Sequence, residues 1–136
     1  MSATLVQWSE DFSVKNRLID TQHKELVRFT NELYAACKTG GFSERLSFIR
    51  TVQDAVNYAK EHFSTEERML IQKNYPEYAQ HKTEHDAFVA EVLRQVKQLD
   101  NMKDIEGKPF VFFLRDWLLN HIAISDKKYT PYVQDD

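Results

Sequence analysis

Residues 76–99, PEYAQHKTEHDAFVAEVLRQVKQL, decide the fold. His81, His85, Phe88, Val92, Val96 and Leu99 recur there at intervals of three or four, the period of one α-helical face. Pro76 follows Asn74-Tyr75 and suits a first turn, so the spacing predicts a helix starting there. The same period continues on both sides. Upstream, Leu46, Ile49, Val52, Val56, Ala59, His62, Glu66 and Met69 mark the inner face of a helix capped by Ser43. Before it, His23, Leu26, Val27, Thr30, Leu33, Tyr34 and Cys37 form the face of a helix that begins near Asp20 and stops at Gly40-Gly41. Downstream, a polar loop through Lys108 leads to Pro109. That proline opens a fourth helix carrying Phe110, Leu114, Trp117 and His121.

Four amphipathic helices with short connections imply an all-α, antiparallel up-down-up-down four-helix bundle. No sustained period-two alternation argues for strands. Residues 1–136 read as one domain, with an N-terminal arm over 1–19, the bundle over 20–126 and a C-terminal tail over 127–136. The arm holds Trp8, Phe12 and Val14 without helical spacing and is expected to pack them across a bundle end. In the tail, Tyr129 and Tyr132 either cover a bundle end or meet a partner.

Composition narrows the function classes. The 136 residues include 18 basic and 21 acidic side chains, for a net charge of -3, and the charges are interspersed. Neither a nucleic-acid footprint nor a polybasic membrane surface is present. The longest purely apolar run, residues 110–114, falls far short of the roughly 20 needed to cross a bilayer. No secretory signal is visible at the N-terminus. Cys37 is the one cysteine, so no intrachain disulfide forms, and a reducing cytoplasm is the expected setting.

All five histidines fall where metal ligands can fall. His62-x-x-x-Glu66 and His81-x-x-x-His85 each place two ligand-type side chains one turn apart on a helix face. His23 lies near the start of the first helix, His62 and Glu66 near the end of the second, His81 and His85 near the start of the third, and His121 near the end of the fourth. In an up-down bundle these ends share one side, so the candidates converge. Burying five imidazoles and a carboxylate without such a role would be costly. Asp126 fits less well. It lies five residues after His121, about 500° of α-helix, so it reaches the same site only if the helix distorts or ends there.

Mixed imidazole and carboxylate donors suit iron, manganese or related metals rather than structural zinc or calcium. Two six-coordinate metals offer twelve positions. Five histidines, two bridging carboxylates and a bridging oxo or hydroxo group fill eleven and leave one for a small ligand. That bridging pair is a hypothesis; a stoichiometry of one metal per chain would refute it.

With these residues in view, the chain resembles the hemerythrin family, and specifically its single-domain bacterial members. The likeness runs through Ile19-Asp20-Thr21-Gln22-His23, His62-Phe63-Ser64-Thr65-Glu66, His81-Lys82-Thr83-Glu84-His85, and Trp117-Leu118-Leu119-Asn120-His121 on to Asp126. The five-residue step to Asp126 is part of the family pattern. The resemblance implies two non-haem iron ions with a bridging oxo or hydroxo group and reversible binding of O2. His81, His85 and His121 would hold one iron. His23 and His62 would hold the other, which keeps the open position, and Glu66 and Asp126 would bridge. Leu26, Phe63, Trp117, Leu118 and Ile122 match positions that line the O2 pocket of similar proteins.

The expected function is therefore O2 transport, storage or delivery, without enzyme activity. Azide and nitric oxide are further small ligands to expect. A sensor of O2, redox state or nitric oxide would act through a separate partner. A di-iron oxidase or peroxidase would be richer in carboxylate ligands.

Overall fold

A computed structural model describes residues 4–100 and 105–135 of the chain. Four long helical elements form the bundle: α1 (Arg17–Thr39), α2 (Gly41–Gln72), α3 (Tyr78–Lys97) and α4 (Lys108–Asp116). α4 runs without a break into a π-helical segment, Trp117–Ser125, then a 3-10 turn, Asp126–Tyr129, and a short α5 (Thr130–Val133). α1 packs on α2 and α4, and α2 packs on α3. The described residues include no strand. No helix among them is long and apolar enough to cross a membrane. The expected loop before Pro109 falls partly on residues 101–104, outside the described residues.

The helix ends differ in detail from those read in the sequence. α1 starts at Arg17 because Asn16, in extended backbone, accepts the Ile19 N–H at 3.0 Å on its side chain. Asp20, expected as the cap, instead turns back to the arm. Its carboxylate accepts the Ser13 hydroxyl at 2.6 Å and the Val14 N–H at 2.9 Å. Gly40 and Gly41 both have positive φ, +74° and +58°, where a Cβ would be strained. This pair reverses the chain so tightly that α2 begins at Gly41, and Ser43 lies inside the helix instead of capping it. α2 ends where Asn74 takes φ 55° and the Tyr75 N–H returns to the Leu70 carbonyl at 3.0 Å, a Schellman-type stop. α3 starts at Tyr78, two residues past Pro76, whereas α4 opens with Pro109 in its first turn as expected.

Burial also shifts one helical face. The deepest side of α2 carries Phe48, Thr51, Val52, Ala55, Tyr58, His62, Phe63, Glu66 and Leu70. Leu46, Ile49, Val56, Ala59 and Met69, read as inner, are only half-buried. Over 32 residues, aliphatic side chains flank the true inner line on both sides, so hydrophobicity alone misplaces it. In α1, α3 and α4 the histidines and the large apolar residues read as inner are buried. Tyr34, Val96 and Leu99 stay half-buried at the margins.

The arm does more than cover an end. Asn31 Oδ1 accepts the backbone N–H groups of Leu5 and Val6 at 3.0 Å each, and its amide donates to the Val6 carbonyl at 2.7 Å. The arm thus lies along α1, and Val6 and Phe12 join the main core. Val14 alone joins a second cluster at the bundle end, with Ile19, Leu70, Tyr75, Tyr129 and Val133. Tyr129 is fully buried there, and Tyr132 packs edge-on against Tyr75 at 5.0 Å, so both tyrosines cover the end. Asn16 donates to the Val133 carbonyl at 2.8 Å, and Lys127 donates to the Ser13 carbonyl at 2.9 Å. These bonds clamp the two ends of the chain over the end where the histidines gather.

Candidate metal centre

The bundle brings all seven ligand-type residues together. His23 comes from α1, His62 and Glu66 from α2, His81 and His85 from α3, His121 from the π segment and Asp126 from the turn that follows. All are buried, and none is more than 3% exposed. Two overlapping groups form. Ligand atoms of Glu66, His81, His85 and His121 lie within 4.8 Å of one another, and so do those of His23, His62, Glu66 and Asp126.

The carboxylates join the two groups. Glu66 Oε1 is 2.8 Å from His81 Nε2 and 3.3 Å from His85 Nε2. Its other oxygen, Oε2, faces His62 Nε2 and lies 3.5 Å from His23 Nε2. Asp126 divides in the same way. Oδ1 is 2.9 Å from both His81 and His121, and Oδ2 is 3.2 Å from His23. Each carboxylate thus gives one oxygen to each histidine set.

Helix geometry explains how Asp126 arrives. An α-helix would turn it away from His121. Here the Asp126 N–H bonds to the His121 carbonyl, a five-residue step that closes a π turn. The wider turn puts both side chains on one face. Distortion of the helix is what the sequence spacing required.

Burial and charge oppose each other at these groups. Burial pushes the His23 and His81 imidazoliums down, but Asp126 and Glu66 overcome it and raise them to about 9 and about 10. Burial likewise works against a charged His121, and Asp126 with Glu84 outweighs it to raise the ring. For His62 burial wins over Glu66, and the group is lowered. Burial disfavours both carboxylates in ionised form, yet the surrounding histidines hold Glu66 and Asp126 below the usual carboxylate range. The two acids therefore remain anionic donors in a dry interior.

The donor set fits a metal pair. Glu66 Oε2, His85 Nε2, His121 Nε2 and both Asp126 oxygens are buried without an aligned hydrogen-bond partner. His121 Nε2 lies 2.9 Å from Asp126 Oδ1 and His85 Nε2 lies 3.3 Å from Glu66 Oε1, so these lone pairs point at common centres rather than along donor–acceptor lines. Buried polar atoms left this way are costly unless a ligand satisfies them.

The outward nitrogens are held from neighbouring helices. His62 Nδ1–H donates to Gln22 Oε1 at 2.6 Å, His85 Nδ1–H to Glu67 Oε2 at 2.8 Å, and His121 Nδ1–H to Glu84 Oε1 at 2.8 Å. The Ser125 hydroxyl donates to that same Glu84 oxygen at 2.8 Å. Fixing the proton on Nδ1 leaves Nε2 as the inward donor atom. Sequence reading missed all four partners. Their one signal is adjacency: each sits one residue from a ligand-type side chain, yet serves a histidine of another helix or, for Ser125, the carboxylate that does.

The five residues matched to an O2 pocket are buried in the main core. Phe63 stacks on His85, with centroids 3.8 Å apart, and Trp117 stacks on His121 at 3.9 Å. Leu26, Leu118 and Ile122 have no exposed surface. A cleft of about 240 Å³ between α1 and α2 reaches the cluster on another side, through Gln22, Phe29, Tyr58 and His62. Sequence reading overlooked Tyr58, which stacks on His62 at 4.7 Å.

Known proteins resemble this chain over most of its length. The model of the hemerythrin HHE cation binding domain matches residues 14–133. A bacteriohemerythrin of Methylococcus capsulatus is 31% identical over 128 residues, covering 93% of this chain and 95% of that protein. A hemerythrin-like protein of Naegleria gruberi is 30% identical over 122 residues, covering 90% of this chain and 88% of its own length. A solved wild-type hemerythrin superposes with a TM-score of 0.82 at 29% identity, covering 96% of this chain and 99% of that one. The match spans every helix and all seven ligand-type residues, and the chain belongs to the hemerythrin HHE cation binding domain family.

Proposed function

We propose that the chain binds O2 reversibly at a pair of iron ions, as a carrier, store or deliverer of the gas rather than an enzyme. The observation that carries this reading is the division of each buried carboxylate between two histidine sets. His81, His85 and His121 would hold one ion, His23 and His62 the other, and Glu66 and Asp126 would bridge them alongside an oxo or hydroxo group. When bound and reduced, such a pair supplies the electrons that hold O2 reversibly. By that assignment, a free position for a small ligand would fall beside His23 and His62.

The protein's own residues do the rest. Gln22, Glu67 and Glu84 keep the Nδ1 protons in place and the rings oriented. Phe63 and Trp117, flat on His85 and His121, exclude water that would otherwise promote irreversible oxidation. Only two of the seven donors are anionic. That set stabilises high-valent iron less than a carboxylate-rich one, which favours binding over O–O cleavage. The lone Cys37, buried and unpaired, suits a reducing cytoplasm.

The test is cyclic. Purified protein is loaded with iron, reduced without air, exposed to air and followed by visible absorption over several cycles. Charge-transfer bands that appear and disappear reversibly, at two irons per chain, are expected. Bleaching in the first cycle, or one iron per chain, would overturn the proposal.

A further inference from the structure

The outward nitrogens of the histidines are not held alike. In the set of His81, His85 and His121 the partners are carboxylates. His85 Nδ1–H donates to Glu67 at 2.8 Å, and His121 Nδ1–H donates to Glu84 at 2.8 Å. The bond to His121 holds the Glu84 carboxyl down at about 2, so it is ionised. His81 borders a small cleft with Glu77 and Glu84. In the set of His23 and His62, no carboxylate holds an outward nitrogen among the described residues. His62 Nδ1–H donates to the neutral amide of Gln22 at 2.6 Å, and His23 Nδ1 is buried without a hydrogen-bond partner.

The charge of such a partner matters to a bound ion. An anion on Nδ1–H makes Nε2 more basic, and a more basic imidazole favours the more highly charged ion. A neutral amide fixes the same tautomer and ring angle without that push. The Gln22 bond is the shortest of the three, so it orients its ring as firmly as either glutamate does. A glutamate of the same length has room there. Gln22 is half-buried in the wall of the 240 Å³ cleft between α1 and α2, beside Glu25, Arg28, Asp54 and Glu61. Charge, rather than shape, is what the amide changes.

We propose that Gln22 is a positioning residue that orients His62 without adding charge, and so keeps the ion at His23 and His62 the more easily reduced and more weakly held of the pair. The proposal rests on the metal-centre reading and deepens it. Carboxylates behind His85 and His121 favour the ferric state on one side. The amide behind His62 leaves the other ion, beside the free position, closer to the ferrous state.

The test compares wild type with Gln22→Glu and Gln22→Ala, all with measured iron content, by spectroelectrochemical titration. It is run at pH 8, where a carboxyl bonded to an imidazole N–H, with Arg28 in the same cleft, is ionised. Gln22→Glu is expected to favour the ferric ion about tenfold, which lowers the midpoint by about 59 mV for one electron. Gln22→Ala gains no charge, so its midpoint should not fall. Glu67→Gln removes an anion from the other set and should raise it. A second readout involves no redox change. Protein loaded with cobalt(II) and challenged with EDTA should release two ions in two phases. Gln22→Glu should slow the faster phase about tenfold and leave the slower one, whereas Gln22→Ala should speed the faster phase. A purely structural role predicts that both substitutions loosen the ion alike. An unshifted or higher midpoint in Gln22→Glu, or a fast phase no slower than in wild type, overturns the proposal. Wild-type protein that holds fewer than two ions overturns the metal-centre reading itself, and the proposal with it.

Discussion

Replacing Glu84 with alanine tests how the centre is held. Glu84 Oε1 accepts the His121 Nδ1–H and the Ser125 hydroxyl, each at 2.8 Å. The bond to His121, opposed by partial burial and helped by Ser125, holds this carboxyl down at about 2. A drop from 4.5 to about 2 corresponds to about 3 kcal/mol of gross interaction. Glu84 is only half-buried, so solvent screening reduces this to about 1–2 kcal/mol. Loss of an outer partner from a metal-bound histidine costs about 10–100-fold in metal affinity, the same range. Glu84→Ala is therefore expected to bind iron at least tenfold more weakly by chelator competition. Glu84→Gln, which keeps an acceptor oxygen without the charge, should fall between. The pH dependence has a definite sign. A depressed carboxyl contributes fully above about 4.5 and loses its contribution as pH falls toward 2. Wild-type protein should lose iron affinity more steeply than Glu84→Gln across that window. Equal iron affinity in Glu84→Ala and wild type, or parallel acid profiles in wild type and Glu84→Gln, would refute the reasoning.

Other expectations follow from packing and burial. Leu118 has no exposed surface, so Leu118→Ala should cost about 2–5 kcal/mol in urea denaturation and speed autoxidation of the iron-loaded protein; an unchanged autoxidation rate removes Leu118 as a gate. At Gly107 a Cβ would meet Cys37 Sγ at 2.6 Å and Leu33 Cδ1 at 3.3 Å, while the Gly107 N–H donates to Glu44 at 2.7 Å. Gly107→Ala should therefore destabilise by about 1–3 kcal/mol, and wild-type stability in the same denaturation would contradict that contact. Burial, with the Glu44 charge, pushes the Cys37 thiol up to about 11. Iodoacetamide at pH 8 should label it far more slowly than a free thiol, and labelling at the rate of free cysteine would show the site to be open.

Much of the centre was legible before any fold was known. Imidazole and carboxylate spacing on a helix follows from the α-helical repeat, so His62 with Glu66 and His81 with His85 could be paired from the chain alone. Up-down topology then brought His23 and His121 to the same end. Asp126 stood at the limit of that reasoning, because only a π turn carries it back to the face of His121. The inner line of α2 was misread, and Tyr58 with it, since a tyrosine among half-buried aliphatics carries no periodic mark of its own.

By itself, then, the sequence determined the four amphipathic helices, the end at which their histidines meet and six of the seven candidate donor side chains, while Asp126 rested on the family resemblance. These are consequences of local period and of donor chemistry. Only the tertiary structure decided which oxygen of Glu66 and Asp126 faces which histidines, and that Gln22, Glu67 and Glu84 each orient a ring on another helix. Such relations join residues far apart in the chain, 40 positions between Gln22 and His62 and 103 between His23 and Asp126. They depend on how helices are rotated and staggered against each other, which side-chain packing settles and no single helix encodes.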